Sequence, residues 1–136
     1  MQSAIVFLLA LSTVTGLGTR YVDVRGQLSC DNAYDYRDTI IELKERDAAD
    51  PDDLLAKIKP SSDGSFNITG HEDEVFKVEF YLKITHRCLI AERKDCPTLT
   101  DEFNLEGSSD PKTITYFKKS LVSKHQTREI NKNCLV

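Results

Sequence analysis

Along most of this chain apolar side chains recur at every second residue, and a chain so patterned builds sheets rather than helices. Val22, Val24 and Leu28 fall on one face of an extended segment, with Tyr21, Asp23, Arg25 and Gln27 on the other, the mark of a half-buried strand. Asp38 to Lys44 places Ile41 and Leu43 on one face. Phe66 and Ile68 alternate in the same way after Ser61-Ser62-Asp63-Gly64, a strong turn signal. The longest run is Val75 to His86, where Phe76, Val78, Phe80, Leu82 and Ile84 oppose Lys77, Glu79, Tyr81, Lys83 and Thr85. Leu99, Phe103 and Leu105 mark another strand and Thr113 to Phe117 a further one, with Asp110-Pro111 turning between them. Helical periodicity is nearly absent. Asp50-Pro51-Asp52-Asp53-Leu54-Leu55 reads as a capped helical piece, with Asp50 as N-cap and Pro51 in the first helical position, and Pro60 ends it. The expectation is all-β: a two-sheet antiparallel sandwich decorated by one short helical turn.

The compartment follows from the N-terminus. Met1 to Gly18 contains no charged side chain, and Ile5 to Leu11 is an unbroken apolar run followed by small and polar residues. This is the layout of a secretory signal peptide, cleaved after Gly18 or, as the alternative, after Gly16. The run is shorter than the roughly 20 residues a membrane span needs. Residues 1–18 are therefore expected to be a signal peptide and 19–136 a single secreted, extracellular domain.

Within that domain lie four cysteines, Cys30, Cys88, Cys96 and Cys134. An even count in a small exported domain reads as two disulfides, with three connectivities open. No C-x₂-C pair exists, and an oxidising compartment removes the thiolates that zinc requires. The expected pairing is Cys88 with Cys96, a short loop closing the end of the long strand, leaving Cys30 to tether Cys134.

A formal net charge of −4 argues against a nucleic-acid partner, whose binding surface is basic. The charge is unevenly spread. Glu45 to Asp53 carries five acids against Arg46, whereas Lys118, Lys119, Lys124, Arg128 and Lys132 face only Glu129 in the stretch 118–132. Such a stretch is either a solvated surface or a docking patch for acidic partners and anionic lipid headgroups.

The ordered set of motifs resembles the nematode transthyretin-like family. Val24-Arg25-Gly26-Gln27-Leu28-Ser29-Cys30 is similar to that family's V-x-G-x-L-x-C opening. An aliphatic strand ending in Asp47 follows, then Pro51-Asp52-Asp53-Leu54-Leu55, the turn Asp63-Gly64-Ser65-Phe66 running on to Gly70, and Glu74. Leu82-x-Ile84-x-His86-x-Cys88, Cys96 and a closing Asn133-Cys134-Leu135 complete the set, which covers most of residues 19–136. Two departures stand out. Phe80 occupies the place of a proline before the Leu-x-Ile-x-His strand, which puts the family's strand break there in doubt, and Pro97-Thr98 replaces a basic pair after Cys96.

The resemblance implies a transthyretin-like (prealbumin-like) sandwich that is secreted and has no enzymatic activity; from the residues themselves no cofactor or metal is expected. It implies partners among cell-surface receptors or other extracellular proteins. The family includes secreted bridging molecules that link phosphatidylserine on dying cells to a phagocyte receptor, which makes an anionic phospholipid surface a candidate partner. The rival function is a carrier of a small hydrophobic ligand, held between subunits of a homo-oligomer as in vertebrate transthyretin. A third, hydrolysis of 5-hydroxyisourate, is disfavoured because the Tyr-Arg-Gly-Ser signature of that enzyme is absent and the chain ends Asn-Cys-Leu-Val.

Individual candidate sites read as follows. His86 shares the face of Phe76 to Ile84, so it is expected in the core, hydrogen-bonded to a carbonyl or carboxylate. No Gly-x-Ser-x-Gly elbow or His-Glu-x-x-His motif occurs, and oxidised cysteines leave no thiol nucleophile. Asp47, Asp50, Asp52 and Asp53 are hard oxygen ligands but lack the glycine and spacing of a calcium loop, so a solvated acidic loop is expected. Asn67-Ile68-Thr69 is a glycosylation sequon, and Asn67 faces outward if Phe66 and Ile68 face inward.

Overall fold

The fold comes from a computed structural model that describes residues 18–31, 33–74, 77–121 and 130–136. Among the described residues there are seven strands: β1 (Gly18–Ser29), β2 (Ile40–Glu45), β3 (Asp53–Ile58), β4 (Ser65–Glu74), β5 (Phe80–His86), β6 (Leu99–Leu105) and β7 (Thr115–Ser120). They form a three-stranded sheet in the order β4-β1-β7 and a four-stranded sheet in the order β3-β2-β5-β6. The all-β, two-sheet expectation holds. Four of the five strand pairings are antiparallel, while β7 runs parallel to β1, because the chain changes sheet between β6 and β7.

The core lies between the sheets and is filled by the alternating sets read from the sequence. Val22, Val24 and Leu28 of β1 meet Ile41 and Leu43 of β2, Phe66 and Ile68 of β4, and Phe80, Leu82 and Ile84 of β5, all buried. Each such side chain contributes about 1.5–3 kcal/mol by leaving water. Gly26 shares this inward parity, and the Phe66 ring lies over it, so close that a Cβ there would sit 2.1 Å from the ring. A glycine here is what admits the ring, since β1 and β4 pair directly at Gly26 and Phe66. On the β7 side Phe117 closes the core against Phe66 and Phe103, at 6.2 and 5.2 Å between ring centroids.

Three expectations need correction. The helical piece foreseen after Asp50 is instead β3, hydrogen-bonded to β2 through a register shift at Leu43/Lys44. The segment between Pro51 and Pro60 is too short to gain much from a helix, while an extended backbone gains a full ladder against β2. Among the described residues the single helical turn is a 3₁₀ turn at Lys132–Cys134. The long strand Val75 to His86 begins only at Phe80, since Lys77 to Glu79 lie outside any strand as the chain passes from β4 in one sheet to β5 in the other. The break is therefore made without a proline at 80. Val75 and Phe76 lie outside the described residues.

The third correction is the cysteine pairing. Cys30 is bonded to Cys88 and Cys96 to Cys134, not Cys88 to Cys96 or Cys30 to Cys134. Inward parity on β1 runs through Leu28 to Cys30 and on β5 through His86 to Cys88. These two strands run the same way in facing sheets, so both cysteines point into the gap at one end of the sandwich. Cys96 meets Cys134 in a second, smaller apolar cluster with Ile90, onto which the C-terminus docks. There Ala91 N–H donates to Cys134 O at 2.7 Å and Val136 N–H to Leu89 O at 3.0 Å.

Candidate binding surface

The strand directions sort the charges by end. β1 runs from Gly18, paired with Glu74, to Ser29, paired with Ser120. At its first end stand the acidic loop from Glu45 to Asp53 and the last residues of β4. At the other end lie the last residues of β7 and the docked C-terminus, with Lys118, Lys119 and Lys132, all exposed. Twelve strand residues at about 3.3 Å each place roughly 35 Å between the two ends of β1, several times the Debye length of about 8 Å at physiological salt. The acidic loop is thus screened from Lys118, Lys119 and Lys132.

Parallel pairing of β7 with β1 adds two residues that sequence reasoning missed. On the outer face of the three-stranded sheet Arg25 pairs with Tyr116, and Gln27 with Lys118. Tyr116 is 78% exposed, one of the few large apolar side chains so displayed. Arg25, Tyr116 and Lys118 therefore form a basic, aromatic-bearing strip at the β7 edge. Lys119, one residue on, turns to the opposite face, where its Nζ lies 5.2 Å from the centroid of Phe103. Among the described residues Lys118, Lys119 and Lys132 form no ion pair, whereas Arg37 and Arg93 at the same end are engaged by Asp35 and Asp95. The exposed partner of Phe117 in the alternation was the available signal for Tyr116; nothing in the sequence put Arg25 beside it. Lys124 and Arg128 lie outside the described residues, as do His125 and the apolar run of the N-terminus.

The acidic end is closed by its own side chains. Asp52 accepts from Asp47 N–H at 3.1 Å with one oxygen and from the Tyr81 hydroxyl at 2.5 Å with the other, and Asp47 accepts from Ala49 N–H at 3.2 Å. The Tyr81 bond, followed by the backbone bond, holds the Asp52 carboxyl below the usual range. Burial first, then that same bond, pushes the Tyr81 phenol up to about 12. Arg46 stacks over the Tyr81 ring at 4.0 Å and reaches Asn104 Oδ1 at 3.2 Å. Among the described residues, the carboxylates that converge closely enough to share a cation are those of Glu45, Asp53 and Glu72, within 4.8 Å of one another. Only Asp53 belongs to the group singled out from sequence.

His86 is wholly buried, as its parity required. Cys88 N–H donates to its Nδ1 at 3.2 Å, which leaves that nitrogen unprotonated and directs Nε2–H at Asp101 Oδ2, 3.2 Å away. Burial lowers the His86 pKa below its ordinary value, with Asp101 opposing in part. The unfolded chain takes up this proton near pH 6.5, the folded chain only at lower pH. Between those two values the unfolded state binds more protons, so stability is complete above about pH 6.5 and falls as pH drops below it. Melting temperatures between pH 5 and 7 are expected to rise with pH in the wild type and to lose that rise in His86→Gln. A flat wild-type profile would show that Asp101 cancels the effect of burial, and a fall with rising pH that it outweighs it.

The profile of the Transthyretin-like family matches residues 25–104, from the middle of β1 almost to the end of β6. The chain belongs to the transthyretin-like family. Among curated relatives, Transthyretin-like protein 16 of Caenorhabditis elegans is 37% identical over 90 residues, covering 65% of this chain and 67% of its own length. Transthyretin-like protein 5 of the same organism is 37% identical over 90 residues, covering 65% of this chain and 64% of its own. The transthyretin-like chain thus spans about two thirds of the length of these relatives. A 9R-lipoxygenase from Cyanothece aligns to 79% of the chain and 16% of the enzyme at 17% identity, with a TM-score of 0.32, too low to bear on fold or function. The family match ends before β7, so the strip at Arg25, Tyr116 and Lys118 lies largely outside the region that defines membership.

Proposed function

We propose that this transthyretin-like protein is a secreted, non-enzymatic recognition module, and that it bridges an anionic phospholipid surface, such as phosphatidylserine on apoptotic cells, to a cell-surface receptor. Family membership supports the coarser part, an extracellular binding module, and two disulfides suit an oxidising compartment. One observation carries the finer part: the strip of Arg25, Tyr116 and Lys118 at the β7 edge, an exposed aromatic ring between cations, at the far end of β1 from the Glu45–Asp53 loop. Lysines at a negatively charged leaflet are worth about 1 kcal/mol each, and Tyr116 offers an amphipathic ring at headgroup depth. The roughly 35 Å along β1 lets this strip approach the lipid while the Glu45–Asp53 loop stays outside the attractive zone.

The test is flotation of the mature protein with phosphatidylserine liposomes. Reversing Lys118, Lys119, Lys124 and Arg128 to Glu removes four favourable contacts, about 4 kcal/mol, so partitioning should fall about a thousand-fold. Melting temperature should hardly change, because the two substituted strand residues are exposed. Wild-type flotation should also weaken steeply with salt. A reversed variant that floats like the wild type sinks the assignment to this end. If neither floats, a module that binds only proteins takes its place.

A further inference from the structure

We infer that Asn67 carries an N-linked glycan, and that this glycan screens the β4 side of the outer face of the three-stranded sheet, leaving only the β7 side open for docking. The sequon Asn67-Ile68-Thr69 sits in the middle of β4. Ile68 is 2% exposed and pins the strand to the core, so Asn67 and Thr69 on either side of it both face outward and are exposed. Among the described residues the Asn67 amide makes no hydrogen bond, so nothing in the fold competes with a sugar for its nitrogen. Attachment joins the amide nitrogen to the anomeric carbon of the glycan, whose lipid pyrophosphate carrier leaves with the departing oxygen.

Position makes the modification consequential. Asn67 is the cross-strand partner of Arg25, which in turn pairs with Tyr116. Directly opposed residues stand about 4.5–5.5 Å apart, and the next strand lies about 4.8 Å further on. A branched glycan rooted there overhangs Arg25 first and reaches Tyr116 last. β4 is also the longest strand at an edge of either sheet, ten residues with one side of its ladder unpaired within the sheet. Such an edge templates pairing with other chains unless it is covered, and a bulky hydrophilic group covers it. The inference rests on the export proposed above, since the transferase acts in the secretory pathway, but it is independent of lipid binding.

The full chain, secreted from a eukaryotic cell line, should lose the mass of one glycan when treated with peptide N-glycosidase F under native conditions. Asn67→Gln and Thr69→Ala should each be secreted without that mass. Arginine modification by phenylglyoxal, read by peptide mapping, should then label Arg25 several-fold faster in the deglycosylated protein, with Arg93 at the far loop unchanged as the internal control. No mass loss in the secreted wild type overturns the modification. A mass loss with unchanged Arg25 labelling overturns the screening. Neither outcome depends on liposome flotation, so failure here is distinguishable from failure of the adaptor reading.

Discussion

Replacing Cys30 and Cys88 together by alanine is expected to lower the stability of the folded protein by about 4 kcal/mol. The bond joins residues 58 apart in sequence, and a loop of that length loses about this much closure entropy in the unfolded chain when cross-linked. It also ties the two sheets together at the end of β1 and β5, next to a Cys88 that is fully buried. For a domain of this size the melting temperature should fall by roughly 15 °C. The Cys96–Cys134 bond closes a loop of 38 residues and has a similar entropic value, yet it anchors a peripheral cluster around Ile90. Its removal should release the C-terminus locally, seen as faster amide exchange at Ala91, Leu135 and Val136, with a smaller fall in melting temperature. Denaturation of both double variants, beside peptide mapping of the unreduced wild type, checks the pair. Equal global losses, or a mapped Cys88–Cys96 peptide, would overturn the assignment of Cys30–Cys88 as the main staple.

Gly64→Ala is expected to cost about 3 kcal/mol, and more than Gly26→Ala. Gly64 adopts φ +86°, in the left-handed region that side chains occupy at a cost of about 1–2 kcal/mol. A Cβ there would lie 2.3 Å from the carbonyl oxygen of Leu28, which is backbone and held in place. Relief would break the Leu28 N–H to Gly64 O hydrogen bond of 2.9 Å that ties the turn before β4 to the end of β1. At Gly26 the obstruction is a side-chain ring, that of Phe66, which can swing partly aside, so about 1–2 kcal/mol is expected, in the range of overpacked cores. Urea denaturation of the two single variants ranks them. If Gly26→Ala proves the costlier, the Phe66 ring is less free than this packing implies.

Alternation by itself determined most of the strands, the side chains that fill the core between them and where His86 would lie, because a strand has only two faces and one must be apolar. The family resemblance rested on that same pattern plus turn residues such as Asp63-Gly64. Parity even contained the correct cysteine pair, since Cys30 and Cys88 continue the inward sets of their strands. What it lacked was direction. Two inward cysteines meet only if their strands lie in facing sheets and end together, and that is decided by the packing of the whole sandwich. The segment Asp53–Ile58 escaped for a related reason. Its register shift against β2 breaks the period of two, and its backbone bonds, not its side-chain pattern, make it a strand. The strip at the β7 edge shows the same limit. The sequence held Lys118, Tyr116 and Arg25 as separate residues, and the separation of acidic and basic stretches was plain in it. Only the parallel pairing of β7 with β1 brings Arg25 beside Tyr116, because contacts between residues some ninety positions apart are set by which sheet the chain re-enters and not by any local preference.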